Sequence, residues 1–314
     1  MKPSIAVLLP CFNEATTIAA VIDGFHRALP TAVVYVYDNN STDGSADVAA
    51  AAGAVVRRER HQGKGNVVRR MFADIDSDIY VLADSDQTYD ASAAGQLVEG
   101  LIKQNVDMVV GVRVGIKDAF RYGHRAGNQL FNRVVSSLFG PGFTDILSGY
   151  RVLSRRFVKS FPSTSSGFEI ETELSVHALD LKLPAAEIAL NYGERPQNSA
   201  SKLRTYRDGF RISVKILMMY RALKPLQFYG AISIVLIVVA LIIGAPVIIT
   251  YLETGLVPRL PTAILAASII QLGVLSLVCG IIIHAVSSTG RELKRMRYLD
   301  LPAPNSARDE NQSI

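Results

Sequence analysis

Over residues 1 to about 115, short apolar runs alternate with segments in which apolar residues recur at helical spacing. Apolar runs bounded by turn residues predict buried strands, and the periodic segments between them predict amphipathic helices. The predicted strands are Ile5–Leu9, Val33–Tyr37, Ala54–Arg57, Ile79–Ala83 and Asp107–Val110. Repeated strand–helix–strand units predict an α/β domain whose mostly parallel sheet is covered on both faces.

Helices are predicted between these strands. Asn13 is expected to cap a helix running to about Ala28, because Asn side chains accept hydrogen bonds from the first backbone amides of a helix. Further helices are predicted from the turn-rich Asp38–Gly44 through Ala52, from Gly63-Lys-Gly65 onwards, and over Ala91–Lys103. Residues 119–192 have a mixed, helix-rich pattern, as expected of a half-domain that receives a second substrate.

Two much longer apolar stretches follow. Residues 225–252 carry no charge, and in residues 260–290 only His284 can ionise. Each stretch exceeds the ~20 residues needed to cross a bilayer core, and both are rich in Ile, Val, Leu and Ala. We expect a hairpin of two transmembrane helices, at about 228–252 and 261–286, with two buried core helices as the alternative.

Basic residues flank the predicted hairpin on both sides. Residues 201–225 contain seven Lys or Arg and one Asp, and residues 291–297 contain four Lys or Arg and one Glu. By the positive-inside rule, the amino-terminal domain and the tail are cytoplasmic. The chain's net charge of +5 is therefore a membrane signature, and nucleic acid is not an expected partner.

Residues 203–223 place apolar side chains on one helical face and Arg and Lys on another. Such a helix suits anionic lipid headgroups, with an ordinary docked surface helix as the alternative. The predicted organisation is an α/β domain over 1–200, an interfacial helix over 201–224, two transmembrane helices within 225–290, and a basic, disordered tail over 291–314. Gly and Ala in both spans permit close helix contact and hence a homo-oligomer.

Two carboxylates, Asp84 and Asp86, directly follow the strand predicted at 79–83. The carboxyl ends of strands in an open α/β sheet open into the crevice where ligands bind. Carboxylates two residues apart suit a hard divalent cation shared with a substrate diphosphate. A solvated turn is the alternative, since this pair alone is a common pattern.

Other phosphate and metal motifs are excluded. Lys64 lacks the glycine and hydroxyl residue of a Walker loop, and no G-x-G-x-x-G follows the first strand. Residues 84–95 lack the Gly and Glu of an EF-hand loop. His and Cys are too few and too scattered for a zinc site. Cys11 and Cys279 lie in different predicted environments, so no disulfide is expected.

Seven segments, of which the Asp84–Asp86 pair belongs to one, occur in an order that resembles the family 2 glycosyltransferases, specifically the membrane-anchored polyprenyl-phosphate sugar synthases such as dolichyl-phosphate mannose or glucose synthases. They are Pro10-Cys-Phe-Asn-Glu14, Tyr37-Asp-Asn-Asn-Ser-Thr-Asp-Gly44, Gln62-Gly-Lys-Gly65, Ala83-Asp-Ser-Asp86, Gly111-Val-Arg113, Thr144-Asp-Ile-Leu-Ser-Gly-Tyr-Arg151 and Glu194-Arg-Pro-Gln-Asn-Ser-Ala-Ser-Lys-Leu203. Together they span roughly residues 4–205. The resemblance implies a GT-A-type, Rossmann-like domain that transfers a sugar from a nucleotide-sugar.

The resemblance also implies roles for residues at the strand ends. Glu14 and Asp38 would hold the nucleoside of the donor, and Asp84 and Asp86 would hold Mg²⁺ or Mn²⁺ against its diphosphate. Lys64 would reach that diphosphate from a helix amino terminus, with a solvated cap as the alternative. The donor-binding residues expected from these motifs are Pro10, Asn13, Glu14, Asp38, Lys64 and Asp84. The usual sequence after the second Asp is replaced here by Gln87-Thr-Tyr-Asp90, which leaves the third metal contact open between Gln87 and Asp90.

The expected acceptor is a polyprenyl phosphate, undecaprenyl or dolichyl. Near pH 7 its phosphate is largely a dianion and needs positioning and cations more than a general base. The catalytic candidates are Asp86, Arg113, Arg125, Arg195 and Lys202. Tyr150 and Arg151 are expected to pack and orient the wall of the site. Direct displacement by the phosphate predicts inversion at the anomeric carbon.

Three other functions are weighed. A processive polysaccharide synthase is disfavoured because the chain has no Trp for the Gln-x-x-Arg-Trp motif and a single hairpin. A glycosyltransferase with a soluble acceptor and an inactive nucleotide-sugar-binding scaffold remain as alternatives. UDP-sugars are favoured as donors, with GDP-mannose as the alternative, and the expected location is the cytoplasmic face of the cell membrane.

Overall fold

The computed structural model describes residues 3–114, 122–191, 193 and 205–304, and within them all side chains except those of residues 122–129 and 205–208. Contacts divide the chain into two units. The first unit comprises residues 1–215 and 294–314, and the second comprises residues 216–293.

Seven strands of the described residues form one sheet in the order β3-β2-β1-β4-β6-β5-β7. The strands are β1 Ile5–Cys11, β2 Val33–Asp38, β3 Val55–Arg58, β4 Ile79–Leu82, β5 Met108–Val114, β6 Arg151–Ser154 and β7 Ala185–Asn191. Strand β6 runs antiparallel to β4 and β5, and the other neighbouring pairs are parallel. The predicted α/β class and mostly parallel sheet are confirmed.

The helices of the first unit connect these strands and cover the sheet. They are α1 Ile18–Ala28, α2 Ser45–Ala51, α3 Lys64–Asp74, α4 Ala94–Lys103, α5 Tyr122–Phe139, α6 Arg155–Ser160 and α7 Ile170–Leu181, followed by α8 Thr205–Leu223, which enters the second unit. Helix α1 buries Ile18, Val21, Ile22 and Phe25, a spacing that forms one apolar face. All four residues of β4 are buried, as expected of a strand covered on both faces.

The predicted start of the first helix is wrong. Helix α1 begins at Ile18 with Thr17 as its N-cap residue, several residues after Asn13. Asn13 has a left-handed backbone (φ 53°), and its side-chain oxygen accepts a 2.8 Å hydrogen bond from the Thr42 amide. A contact with the loop after β2 therefore replaces the local cap, because Asn tolerates this conformation and serves either purpose.

Two long apolar helices belong to the second unit: α9 Pro225–Thr254, and α10 Leu260–Leu299, whose last residues from Lys294 lie in the first unit. Both are long and apolar enough to cross a membrane. Helix α9 begins on Pro225, which suits a helix start because proline lacks the amide that would there have no partner. Ser276 donates a 3.0 Å hydrogen bond to the Tyr229 carbonyl, and Ser287 donates one of 2.7 Å to the Ala222 carbonyl. Small hydroxyl residues thus join neighbouring helices in this unit.

Candidate active site

One edge of the sheet collects the predicted functional residues. Strands β1, β2, β4 and β5 run in one direction, so their carboxyl ends share this edge, and β6 begins there. Asp38 ends β2, Glu14 lies just after β1, and Asp84 lies just after β4. Glu14, Asp38 and Asp86 are buried. The topology therefore brings together carboxylates that are far apart in the sequence.

The loops after β1 and β2 are interlocked by hydrogen bonds. The Glu14 amide donates to Ser45 Oγ at 2.8 Å, and the Ala15 amide donates to Asp43 Oδ2 at 3.0 Å. Burial opposes ionisation of Asp43, but hydrogen bonds from Ser45 and Ala15 hold the pKa of its carboxyl below the usual value. Both oxygens of Asp38 lie 3.3 Å from the amide of Ser41, three residues further along, so this carboxylate also holds the loop after β2.

The loop after β4 is tied to the end of β1. Ser85 Oγ donates to the Pro10 carbonyl, and Thr17 Oγ1 donates to the Ser85 carbonyl, each at 2.8 Å. Asp86 Oδ1 accepts from the Thr88 hydroxyl at 2.5 Å and from the Thr88 amide at 3.2 Å. These bonds fix the backbone on both sides of the Asp84–Asp86 pair and orient the Asp86 carboxylate.

Lys64 lies at the start of α3 and points between two carboxylates. Its Nζ pairs with Asp84 Oδ1 and with Glu171 Oε1, the latter at 2.5 Å. The side chains of Lys64 and Glu171 are 9% and 5% exposed, whereas that of Asp84 is 30% exposed. Burial alone would lower the pKa of Lys64, but the Asp84 and Glu171 carboxylates raise it above its usual value. Lys64 is therefore a cation inside the site.

Glu171 is a site residue that sequence reasoning missed. It lies in the first turn of α7, where a glutamate is commonly a surface residue. Burial raises the pKa of the Glu171 carboxyl, and the Lys64 ammonium opposes that shift. Its Oε2 is buried and has no hydrogen-bond partner among the described residues.

Close backbone packing fixes the direction of Lys64. A Cβ placed on Gly63 would lie 2.1 Å from the Ser166 carbonyl oxygen, and one on Gly65 would lie 2.4 Å from the Ser165 carbonyl oxygen. Gly63 also has a backbone (φ 128°) that side-chain-bearing residues rarely adopt. Only glycines on both sides of Lys64 allow this approach.

The segment before β6 forms a wall beside Asp84. Tyr150 and Arg151 are fully buried. Arg151 donates to the Ser148 and Ile146 carbonyls at 3.0 and 2.8 Å, and burial lowers the pKa of its guanidinium to about 10. The Gly149 amide donates to the Tyr89 hydroxyl at 2.8 Å. These contacts agree with the packing role predicted for Tyr150 and Arg151.

Arg113 is engaged in a bidentate ion pair. Its Nε and Nη2 lie 2.7 and 2.6 Å from the two oxygens of Asp145. Both side chains are largely buried, at 12% and 5% exposed. The planar guanidinium and carboxylate match each other's geometry, which allows two parallel hydrogen bonds. Arg113, predicted to bind an acceptor phosphate, therefore has its charge neutralised by Asp145 in this structure.

The donor set fits a hard divalent cation. Asp84 and Asp86 supply carboxylate oxygens, which Mg²⁺ and Mn²⁺ prefer, and Asp84 is open to solvent. No group of three or more His, Cys, Asp or Glu residues suited to a metal is found within the described residues. Of the two residues left open as a third contact, Asp90 caps a helical turn through the Ser92 amide at 2.8 Å, and Gln87 is exposed. A cation here would share its coordination with a diphosphate.

Comparison with known proteins assigns the family. The model of glycosyl transferase family 2 matches residues 6–161. The glycosyltransferase AglJ of Haloferax volcanii is 31% identical over 301 residues, which cover 95% of this chain and 98% of AglJ. The chain belongs to glycosyltransferase family 2. The enzyme class predicted from the sequence, a glycosyltransferase, is thereby confirmed.

Two further relatives extend the comparison. The dolichol-phosphate mannosyltransferase of Pyrococcus furiosus is 24% identical over 238 residues, covering 70% of this chain and 64% of that protein. Glucosyl-3-phosphoglycerate synthase of Mycobacterium tuberculosis, solved with Mn²⁺, UDP and glucosyl-3-phosphoglycerate, superposes with a TM-score of 0.58. It is 24% identical and covers 70% of this chain and 80% of that one. This likeness confirms a GT-A-like α/β fold for the family 2 domain.

The remaining predicted acceptor residues fall outside the described side chains. Arg195 and Lys202 lie between residue 193 and the start of α8 at Thr205, and Arg125 lies near the start of α5. Their roles in this family 2 enzyme stay predictions.

Proposed function

We propose that this family 2 glycosyltransferase carries out metal-dependent, inverting transfer of a sugar from a nucleotide-sugar to a polyprenyl phosphate at the cytoplasmic membrane face. The observation that carries the proposal is the meeting of Glu14, Asp38, Asp84 and Asp86 at one sheet edge in a chain with two apolar, membrane-length helices. The relative named dolichol-phosphate mannosyltransferase supports the acceptor class.

The donor would lie along the carboxyl ends of β1, β2 and β4. Glu14 and Asp38 are buried acceptors suited to the hydroxyl and N–H groups of a nucleoside. Pro10 and Asn13 shape this side through their bonds to Ser85 and Thr42. The UDP in the M. tuberculosis structure supports a uridine donor, with GDP-mannose as the alternative.

Asp84 and Asp86 would hold Mg²⁺ or Mn²⁺ beside the donor diphosphate. The bound ion would neutralise the charge that develops as the nucleoside diphosphate leaves. Thr88 keeps the Asp86 carboxylate oriented through its hydroxyl and amide. Lys64 would supply a further positive charge to the diphosphate from the start of α3.

The acceptor phosphate would attack the anomeric carbon without a general base. A phosphate monoester near pH 7 is largely a dianion, so its oxygen is already nucleophilic. What the site must supply is orientation and cations that offset repulsion from the diphosphate. Arg113, Arg125, Arg195 and Lys202 are the proposed cations, and Arg113 would exchange Asp145 for the phosphate.

Helix α8 would lie at the lipid surface. Phe210, Leu217 and Met218 are exposed at 71%, 54% and 55%, and Lys and Arg recur along the same helix. An apolar face bordered by cations suits an anionic leaflet. Helices α9 and α10 would then span the bilayer with the family 2 domain in the cytoplasm, according to the charge of the flanking segments.

The test is sugar transfer by the purified full chain in detergent with Mn²⁺, radiolabelled nucleotide-sugar and polyprenyl phosphate. We expect label in the butanol-extractable lipid. Asp86→Ala should lower this transfer at least about 100-fold, because one of the two carboxylates proposed to hold the metal is lost. Membrane insertion should stay unchanged. The matched control is Asp76→Ala, which breaks an exposed ion pair with Arg155 and should keep the wild-type rate.

Other outcomes would contradict the proposal. Label in a long polymer indicates a polysaccharide synthase, and label only in a water-soluble acceptor indicates a soluble phosphate or sugar as substrate. Donor binding without transfer to any acceptor indicates a scaffold. Wild-type transfer by Asp86→Ala would overturn the metal assignment.

A further inference from the structure

The Lys64 ammonium occupies a carboxylate that, as a metal ligand, would be expected to be free for the metal. Its ammonium pairs with Asp84, the proposed metal ligand, and with Glu171, which no motif pointed to. We propose that Lys64 holds the place of the divalent cation on Asp84 before the donor binds, and that Glu171 keeps Lys64 in the site when the cation replaces it. This inference rests on the metal role proposed above for Asp84.

The two carboxylates that pair with Lys64 differ in their exposure to solvent. Asp84 is 30% exposed at the open edge of the sheet, while Lys64 and Glu171 are at most 9% exposed. A dissolved cation can therefore reach Asp84, whereas Glu171 is reached only from inside the protein. Lys64 therefore connects a carboxylate that solvent reaches with one that solvent does not reach.

The spare acceptor on Glu171 gives Lys64 a second position. Glu171 Oε1 already lies 2.5 Å from Nζ, and Oε2 is buried without a hydrogen-bond partner among the described residues. A buried carboxylate oxygen left in this way calls for a donor. When Asp84 turns to the cation, the Lys64 ammonium can bond to both oxygens of Glu171 with a small side-chain rotation.

The backbone around Lys64 is held in place, so only its side chain needs to move when the cation replaces it on Asp84. Gly63 and Gly65 pack against the carbonyls of Ser165 and Ser166 too closely for the loop to shift toward them. Those carbonyls belong to the segment just before α7, the helix that carries Glu171. Lys64 and Glu171 are thus held on one rigid support, and Glu171 acts as a positioning residue for Lys64.

Charge balance supports the same order of events. Asp84, Asp86 and Glu171 are three carboxylates, and Lys64 is the cation that the structure pairs with two of them. In the resting site Lys64 limits repulsion between Asp84 and Glu171. Once a divalent cation neutralises Asp84 and Asp86, Lys64 remains beside Glu171 with an ammonium directed toward the incoming diphosphate.

The test measures Mn²⁺ affinity of the full chain in detergent by the electron paramagnetic resonance signal of free Mn²⁺, with and without UDP. Without UDP, Lys64→Met should bind Mn²⁺ at least about tenfold tighter, because a competing charge in contact with Asp84 is removed. With UDP this gain in Mn²⁺ affinity should disappear, because the variant lacks the ammonium that would bind the UDP diphosphate. Unchanged or weaker Mn²⁺ binding by Lys64→Met without UDP would overturn the proposal.

Glu171→Gln supplies a second variant that keeps the side-chain shape. Lys64 would then have Asp84 as its remaining carboxylate, so Mn²⁺ binding without UDP should weaken by about tenfold. Opposite signs for the two variants are not expected of an ion pair that serves the fold alone. A Glu171→Gln protein that is folded and binds Mn²⁺ as tightly as wild type would contradict the retention role of Glu171.

Two controls separate this inference from the proposed function. Lys159→Met removes a half-buried lysine that donates to the Phe72 and Ile75 carbonyls, away from the site, and should leave Mn²⁺ binding unchanged. Asp84→Asn should abolish Mn²⁺ binding. If Asp84→Asn binds Mn²⁺ normally, the proposed metal site itself is wrong; if it loses binding and Lys64→Met has no effect, only the exchange fails.

Discussion

Gly149 lies against the carboxylate of Asp84. A Cβ placed on Gly149 would lie 2.6 Å from Asp84 Oδ2 and 3.1 Å from Asp84 Cγ. The Gly149 amide is at the same time bound to the Tyr89 hydroxyl at 2.8 Å, so the backbone here cannot easily retreat. The bare backbone of residue 149 therefore makes the space in which Asp84 faces the proposed metal.

We expect Gly149→Ala to impair transfer by displacing the Asp84 carboxylate. A shift of about 1 Å in a reacting arrangement can reduce a rate by roughly 100-fold. The measurement is the initial rate of transfer together with Mn²⁺ affinity, which should also fall. Gly95→Ala is the matched control, because its Cβ would meet its nearest atom at 3.9 Å. Equal rates for the two variants would contradict this role of Gly149.

Glu173 anchors the segment on which the Lys64 loop rests. It accepts from the Ser165 amide at 2.8 Å and the Thr164 hydroxyl, and Lys215 of α8 lies 3.4 Å away. Burial opposes ionisation, but these hydrogen bonds and Lys215 hold the pKa of the Glu173 carboxyl below its usual value.

Glu173→Gln should loosen this segment and with it the loop around Lys64. The Gln oxygen still accepts a hydrogen bond, so we expect a loss of about 1 kcal/mol, less than the about 1.5–3 kcal/mol of a full bond to a charged group. If this loss falls on donor binding, it corresponds to about a fivefold rise in the KM for nucleotide-sugar, with a smaller change in kcat. Steady-state kinetics at fixed acceptor concentration measures the changes in KM and kcat separately. Glu99→Gln, which breaks an exposed pair with Lys103, should leave both constants unchanged. A fall in kcat alone would speak against the anchoring role.

His177 should make the first unit sensitive to acid. It is buried between Phe157 and Phe161, with ring centroids 5.2 Å away on each side. Burial lowers the pKa of its imidazole from 6.5 to about 3, and the nearby Lys294 adds to this effect. Between these values the unfolded chain binds a proton that the folded chain does not, so stability is present above pH 6.5 and is lost as the pH falls.

The slope expected from His177 is at most about 1.4 kcal/mol per pH unit below pH 6.5. His177→Gln removes the titrating group, so its thermal stability should vary less between pH 6.5 and 5 than that of wild type. Thermal unfolding in detergent across this range measures the difference between the two curves. Parallel curves would show that His177 is not the acid-sensitive group.

Tyr298 should stabilise the first unit by binding the tail to it. Its hydroxyl donates to Asp107 Oδ2 at 2.6 Å, and the Arg156 guanidinium lies 4.6 Å from its ring centroid. Asp107 is fully buried and also pairs with Arg156. Tyr298→Phe should lower the free energy of unfolding by about 1.5–3 kcal/mol, as expected for a hydrogen bond to a charged group.

Tyr298→Ala should cost about a further 0.5–1 kcal/mol because the contact between Arg156 and the ring is lost as well. Thermal unfolding ranks the three proteins, and limited proteolysis near residue 300 should become faster in the same order. Tyr251→Phe, at an exposed position of α9, is the control and should match wild type. Equal stability of all variants would contradict docking of the tail through Tyr298.

The sequence by itself determined the elements whose signal is local. Strand positions follow from short apolar runs, and the long helices α9 and α10 follow from uncharged stretches longer than any ordinary core helix needs. Asp38, Asp84 and Lys64 were placed correctly at element ends, because motifs and turn residues mark where a strand stops or a helix begins. These features depend on neighbours along the chain, which a single sequence displays in full.

Only the tertiary structure decided which partners those residues have. Asn13 bonds to the loop after β2 instead of capping α1, and Arg113 is neutralised by Asp145. Glu171 enters the site because the segment just before α7 packs against the glycines that flank Lys64. Such pairings join residues distant in sequence, and their energies depend on burial and approach distances that exist only once the sheet and its helices have assembled.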